Sequence, residues 1–199
     1  LQSYTERLTH ISFYTQVEDI IKVGIARYKE KYLPGIKSED PFVLYEKYSR
    51  RDVSLLMNCG KDLSSIMYGM KRIENDVFIF ITYHKEESQD EKNYVDGKPD
   101  YADAFEDNLI FKWDSQIGKG LDSSYMKDVL GADRKHLFVK KSDAETSFYY
   151  MGQFDVLEAR NAQKEDNRGR MQPITKVTMK MHHAVREDLL RYLQSHITA

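Results

Sequence analysis

The chain has 199 residues, with 30 Lys and Arg against 32 Asp and Glu, and is 41% hydrophobic and 12% aromatic. That length suits one domain or one domain with a helical appendage, and the aromatic content excludes a disordered chain. No apolar run nears the ~18 residues of a membrane span and no signal peptide opens the chain, so the expectation is a soluble, cytoplasmic protein with no membrane partner.

In chain order, Val17, Ile20, Ile21, Gly24, Ile25 and Tyr28 recur at spacings of three and four, which predicts a helix closed by Pro34-Gly35. Asp40-Pro41, a cap residue before a proline, predicts a short helix through Tyr45. Ser49-Arg50-Arg51-Asp52 reads as a capping box with Asp in place of Glu, and Val53, Leu56 and Met57 as the buried face behind it. Here Arg50-Arg51 reads as a solvated helix start. Cys59, the single cysteine, reads as a small buried hydrophobe; it leaves no internal disulfide and no thiolate set for zinc.

From Ile66 onward the period changes. Residues 77–83 are apolar on both faces and rich in β-branched and aromatic side chains, as in a central strand. Residues 110–113, 137–140 and 148–151 are three further strands, and 174–181 alternates, with Val177, Met179 and Met181 facing one way and Lys176, Thr178 and Lys180 the other. Asp122 is placed to cap a helix through Leu130, stopped by Gly131, and Val185, Leu189, Tyr192 and Leu193 mark a last helix. Residues 85–108 and 157–173 read as long polar connections. The pattern is α+β: a helical N-terminal segment, then a curled sheet or small barrel with flanking helices.

Motifs for enzyme chemistry are missing. Gly118-Lys119-Gly120 lacks the spacing of a phosphate loop, and His182-His183 on a strand would point to opposite faces and cannot chelate together. No nucleophile elbow or metal-ligand spacing occurs, so neither catalysis by this segment nor a cofactor or metal is expected. Charge is uneven: residues 76–133 carry 6 basic and 14 acidic groups, whereas Arg160 to Arg186 holds seven basic and two acidic residues. A near-neutral chain can therefore present a cationic face to a polyanion. Aromatics lie beside charge in Tyr83-His84-Lys85, Tyr101-Ala102-Asp103-Ala104-Phe105 and Phe111-Lys112-Trp113-Asp114-Ser115. Such rims can sandwich an extruded base while an Asp accepts from an exocyclic amine.

The order Tyr48-Ser49-Arg50-Arg51-Asp52-Val53, Phe80-Ile81-Thr82-Tyr83-His84-Lys85, Tyr101-Ala102-Asp103-Ala104-Phe105, Trp113-Asp114-Ser115, Leu137-Phe138-Val139-Lys140-Lys141-Ser142-Asp143 and Phe148-Tyr149-Tyr150-Met151-Gly152 resembles a known family. It is the domain of uncharacterised name at the C-terminus of bacterial proteins that join a phospholipase-D-type nuclease to a DEAD/DEAH-type helicase, among them restriction enzymes of the SauUSI kind. The resemblance runs from about residue 40 to residue 193. It implies a PUA-like, SRA-like curled β-barrel at residues 63–199, with 1–62 as a helical connector. It also implies a DNA-binding specificity module for modified cytosine (5-methylcytosine or 5-hydroxymethylcytosine), read in duplex DNA by base flipping. The fragment would be non-catalytic, with helicase and nuclease domains upstream in an ATP-dependent type IV restriction enzyme.

Within that frame Tyr83, Tyr101 and Trp113 are stacking candidates, Asp103 is the candidate acceptor for the cytosine amine, and His84 and Ser115 are base-edge candidates. Phe105 reads as core. Lys85, Lys140, Lys141, Arg168, Arg170, Lys176 and Lys180 are phosphate candidates, which set affinity and salt dependence but not sequence preference. The acidic stretch at 86–107 would be repelled by a duplex and is expected to point away from it. A second reading stays open: an interaction domain that regulates the attached motor without touching a base.

Overall fold

The computed structural model describes residues 3–32, 41–57, 59–84, 94–95, 98–99, 103–166 and 168–195. They divide into two units, residues 1–43 and 44–199. In the first, α1 (Tyr4–Arg7) opens with a capping box in which Ser3 and Glu6 exchange bonds, and α2 (Ile11–Tyr32) follows. Ile11, Ile20, Ile21, Val23 and Ile25 of α2 are exposed. No helix among the described residues is long and apolar enough to cross a membrane.

The second unit is built on strands. Before them, residues 41–46 form turns and not the expected helix. Tyr45 takes a left-handed φ of 67° and its N–H bonds to Tyr150 O, because this stretch extends β1 (Lys47–Tyr48) along a neighbouring strand. The capping box at α3 (Arg50–Leu56) is formed as the sequence predicts: Ser49 Oγ accepts from Asp52 N at 3.1 Å and Asp52 Oδ2 from Ser49 N at 2.8 Å. Of its predicted face, Val53 is buried while Leu56 is exposed; Ser54 is buried in its place, bonding Leu63 N. Cys59 is half-buried.

The sheet runs in the order β2 (Met70–Ile73), β3 (Asp76–His84), β8 (Arg134–Ser142), β9 (Phe148–Glu165), β10 (Met171–Met181), β7 (Ile110–Asp114), β6 (Ala104–Phe105), with β1 also on β9. Among the described strands only β3 and β8 pair in parallel, and a separate hairpin joins β4 (Tyr94–Val95) to β5 (Lys98–Pro99). The main sheet is flanked by α4 (Ser124–Leu130), capped by Ser123 where the sequence pointed to Asp122, and by α5 (Glu187–Gln194).

The curl has a local cause. β9 pairs first with β8 and then, from Phe154, with β10, and its register slips opposite Leu137/Phe138, leaving Met151 as an extra residue. Gly152 sits at that turning point with φ 102°, where a Cβ would stand 2.9 Å from the Leu44 side chain; only glycine meets both demands. The far edge curls back toward β3, so that Phe105 of β6 and Tyr83 of β3 share one buried core. Inside lie Val77, Ile79, Ile81, Phe111, Leu137, Val139, Phe154, Val177, Met179 and Met181, closed by Met126 and Val129 of α4 and Leu189 and Leu193 of α5.

Residues 157–165, read from sequence as a loop, are strand: the outer end of a two-stranded ribbon. β7 pairs β10 only over Lys176–Lys180, so the ribbon's end buries no continuous face. Without a buried face there is no hydrophobic period for sequence to show.

Candidate nucleic-acid interface

β6, β7, the 115–123 connection and α4 gather polar groups around one aromatic ring. Asp103 precedes β6 and is buried, its Oδ1 accepting from Asp114 N at 2.9 Å. Trp113 points inward from β7, its ring centroid 6.3 Å from that of Tyr125 at 32°. Ser115 pins the connection, accepting from Thr175 N at 2.8 Å and donating to Lys119 O at 2.7 Å. Gln116 then lies against Gly69, where a Cβ would stand 2.5 Å from the Gln116 amide nitrogen and 3.5 Å from the Tyr125 hydroxyl. With φ at 72°, Gly69 lets the backbone approach both.

Among the described residues the Tyr125 hydroxyl, which is buried, has no hydrogen-bond partner. Burial pushes its phenol far up, and the Asp103 carboxylate pushes it further, so it is a neutral O–H at any physiological pH. Burial also raises the Asp114 carboxyl; Lys176, 3.2 Å away, opposes this and nearby Asp103 reinforces it. An orphaned buried hydroxyl costs roughly 1–3 kcal/mol and calls for an explanation. With the Asp103 carboxylate and the Trp113 indole in the same cluster, the hydroxyl adds a donor to an acceptor and an aromatic face. Among the described residues, no three His, Cys, Asp or Glu stand together as metal ligands.

Of the residues singled out from sequence, Asp103, Trp113 and Ser115 come together here. Tyr83 and His84 do not. Tyr83 is buried in the core, where burial pushes its phenol up, and His84 Nε2 lies 2.7 Å from Leu193 O. Both are buried under α5, which covers the strand end that sequence reading left open. Tyr101 and Lys85 lie outside the described residues. Among the phosphate candidates, Lys140 is turned inward, its Nζ donating to Glu145 O at 2.9 Å and standing 3.4 Å from Asp143, so it ties the β8–β9 turn. Lys141 bonds Ser195 Oγ at 2.6 Å and lies over the Tyr192 ring, Arg170 pairs with Asp166 at 2.8 Å, and Lys176 pairs with Asp114. Arg168 and Lys180 are exposed. Sequence reading missed Tyr125 and Gln116, because only the long-range packing of α4 and the 115–123 connection gives them a role.

A family model described as a domain of unknown function, DUF3427, matches residues 42–193. The chain belongs to this family. The match covers the stretch over which the motif order carries the resemblance, and every residue of the polar cluster falls inside the DUF3427 domain. No curated protein matches. Among solved structures the chain is similar to Arabidopsis thaliana SUVH6 in complex with SAM, at 9% identity and TM-score 0.45, over 97% of this chain and 36% of that one. It is also similar to the sulfur-binding and SRA domains of ScoMcrA complexed with phosphorothioated DNA, at 10% identity and TM-score 0.38, over 77% of this chain and 45% of that one. A third is the MspJI restriction endonuclease in complex with a 27-mer oligonucleotide, at 11% identity and TM-score 0.36, over 59% of this chain and 37% of that one. The chain thus spans less than half the length of each.

Proposed function

We propose that this DUF3427 domain is the specificity module of a cytoplasmic, modification-dependent restriction enzyme, and that it takes a modified cytosine out of duplex DNA and holds it against Trp113, Asp103 and Tyr125. The observation that carries the reading is the Tyr125 hydroxyl, buried without a hydrogen-bond partner among the described residues and within electrostatic reach of the Asp103 carboxylate. Extruding a base costs a few kcal/mol of stacking and pairing, which stacking on an indole and hydrogen bonds to the base edge offset. In this reading Asp103 accepts from the cytosine 4-amino group, Tyr125 bonds another edge atom, and Tyr101 remains a stacking candidate. Ser115 acts through the loop it pins. Arg168 and Lys180 touch phosphate directly, while Lys141, Arg170 and Lys176 would have to leave partners to do so. The domain itself catalyses nothing and needs no cofactor; helicase and nuclease domains of the same protein would act on the bound site.

The test is a titration of the 199-residue chain against matched duplexes carrying cytosine, 5-methylcytosine or 5-hydroxymethylcytosine at physiological salt. Tighter binding to one of the modified duplexes is expected. Equal affinity for all three would refute the reading.

A further inference from the structure

Gly118-Lys119-Gly120 lies in the connection between β7 and α4, and its lysine reaches the polar cluster. Lys119 is half-buried, and its Nζ stands over the Tyr125 ring, 5.9 Å from the centre. Among the described residues this ammonium has no carboxylate and no hydrogen-bond acceptor. Lys135, Lys140, Lys141 and Lys176, which are also withdrawn from water, each donate to an oxygen within 3.2 Å. A ring face attracts an ammonium without cancelling its charge, so Lys119 has three donors and an uncompensated charge to offer.

The backbone that carries this cation is fixed. Lys119 O accepts from Ser115 Oγ at 2.7 Å and from Thr175 Oγ1 at 3.0 Å, and Lys119 N donates to Gln116 O at 3.0 Å. Ser115 and Thr175 are both buried. Gly118 turns with φ 81°, and Gly120 packs so close to β10 that a Cβ would stand 3.2 Å from Pro173. The pin made by Ser115 thus ends on the residue that bears the charge, which gives the side chain a rigid base. Tyr125 joins that charge to the base site: its hydroxyl faces Gly69 and its ring lies under Lys119, so hydroxyl and ammonium are separated only by the ring and the 5.9 Å contact. One nucleotide spans such a separation between its base edge and its phosphate. Nearby Asp103 accepts from Asp114 N, and Asp114 holds Lys176 at 3.2 Å; neither carboxylate pairs with Lys119.

We propose that Lys119 is the phosphate contact of the base site, its ammonium binding the phosphodiester of the extruded nucleotide while Asp103 and Tyr125 hold the base. This rests on the base-binding reading given above. Lys119→Met removes the charge and keeps the packing on Tyr125; Lys119→Arg keeps the charge. The measurements are Kd for unmodified duplex and for the modified duplex that binds most tightly, across a salt series, with Tm as a control for folding. A further pair of modified duplexes carries one neutral methylphosphonate linkage, on the 5′ or the 3′ side of the modified nucleotide. Lys119→Met should weaken binding to the modified duplex about tenfold and flatten its plot of log K against log salt by about 0.9. Lys119→Arg should keep the slope. One of the two neutral linkages should weaken the wild type by a similar factor and cost Lys119→Met little more, because the two changes remove the same contact.

Folded Lys119→Met with wild-type affinity and slope overturns the proposal, and so do neutral linkages that weaken the variant as much as the wild type. If Lys119→Met does not fold, Lys119→Gln, also neutral, takes its place in the same comparison. A wild type that prefers modified duplex, with Lys119→Met unchanged from it, leaves the base reader standing and removes the anchor. A wild type that binds all duplexes equally removes the base reader. A slope flattened by Lys119→Met on every such duplex then makes Lys119 a general backbone contact, and the anchor of a base site falls as well.

Discussion

The two halves of the sheet share β9 and little else in character. In the first half β3, β8 and the start of β9 are buried on both faces. Beyond the inner core, an outer aromatic layer stacks Phe78 on His136 at 4.8 Å, Phe80 on Phe138 at 5.1 Å and Phe138 against Tyr150 at 4.9 Å. Two of its polar pairs close within it: Arg134 grips both oxygens of buried Asp76 at 2.6 Å, and His136 Nδ1 lies 3.0 Å from the Tyr150 hydroxyl. The second half buries one face only. Outside it, Lys112 aligns with Thr178 and Glu158, and Asp114 with Lys176 and Arg160, a charged and partly exposed surface. A strand pair closed on both faces supplies rigidity, and one open on a face supplies chemistry. The polar cluster sits in the open half, supported by the closed one.

The largest effect should separate the halves by stability. Phe138→Ala, in the middle of the aromatic layer, is expected to cost ~3–5 kcal/mol, read as a lower denaturant midpoint. Leu157→Ala, 57% exposed on the outer ribbon, should stay within about 0.5 kcal/mol. Similar losses at both sites would mean that the ribbon is as much scaffold as the closed half. Second comes function: Asp103→Ala should remove ~1–3 kcal/mol of preference for the modified duplex. A preserved preference in a folded variant would move the acceptor elsewhere.

The closed half was legible in the sequence because its signals are local. An apolar run at 77–83 and a capping box at Ser49 each state a structure within a few residues, and in the open half the alternation at 177–181 does so where β10 buries one face. The open half was partly illegible for the opposite reason. The ribbon at 157–165 has no buried face to write a period, and Asp103, Trp113 and Ser115 announce themselves only as aromatic and polar neighbours. Tyr125 carries no mark, since its meaning comes from Gly69 and Asp103, both distant in sequence. Tyr83 and His84 looked like site residues because sequence shows a strand leaving the core but not the helix, α5, that closes over it.

Smaller effects sharpen the same contrast. Ser49→Ala removes the cap of α3 and should cost about 1 kcal/mol of stability with no change in duplex preference, because it acts on the closed half. Glu145 ties Lys47, the Lys141 backbone and Tyr192 together. Burial opposes its ionisation, but these hydrogen bonds outweigh it and hold its carboxyl below the usual range. A depressed carboxyl stabilises the fold above its unfolded pKa, about 4.3, and loses that contribution as pH falls through the folded value. Glu145→Gln should therefore show a flatter loss of stability on acidification, by less than about 1 kcal/mol given the partly exposed Lys47. A stability–pH curve that matches the wild type would remove the turn from the charges that set the pH response.

Tyr125→Phe gives the smallest expected change in stability and the sharpest test of what the open half is for. The hydroxyl makes no hydrogen bond among the described residues, so deleting it breaks none of theirs, and a buried polar group without a partner there is relieved. Stability should be unchanged or rise by up to about 1 kcal/mol, read as an equal or higher Tm. If the hydroxyl is kept for a base edge, the same deletion must weaken binding to modified duplex and reduce its preference over unmodified duplex. A rise in stability with a fall in preference is what a ligand site predicts, because the group is placed against the fold's own interest. A fall in stability with preference intact is what a structural hydroxyl predicts. It would move the modified-base contact from α4 toward Asp103 and Trp113 alone.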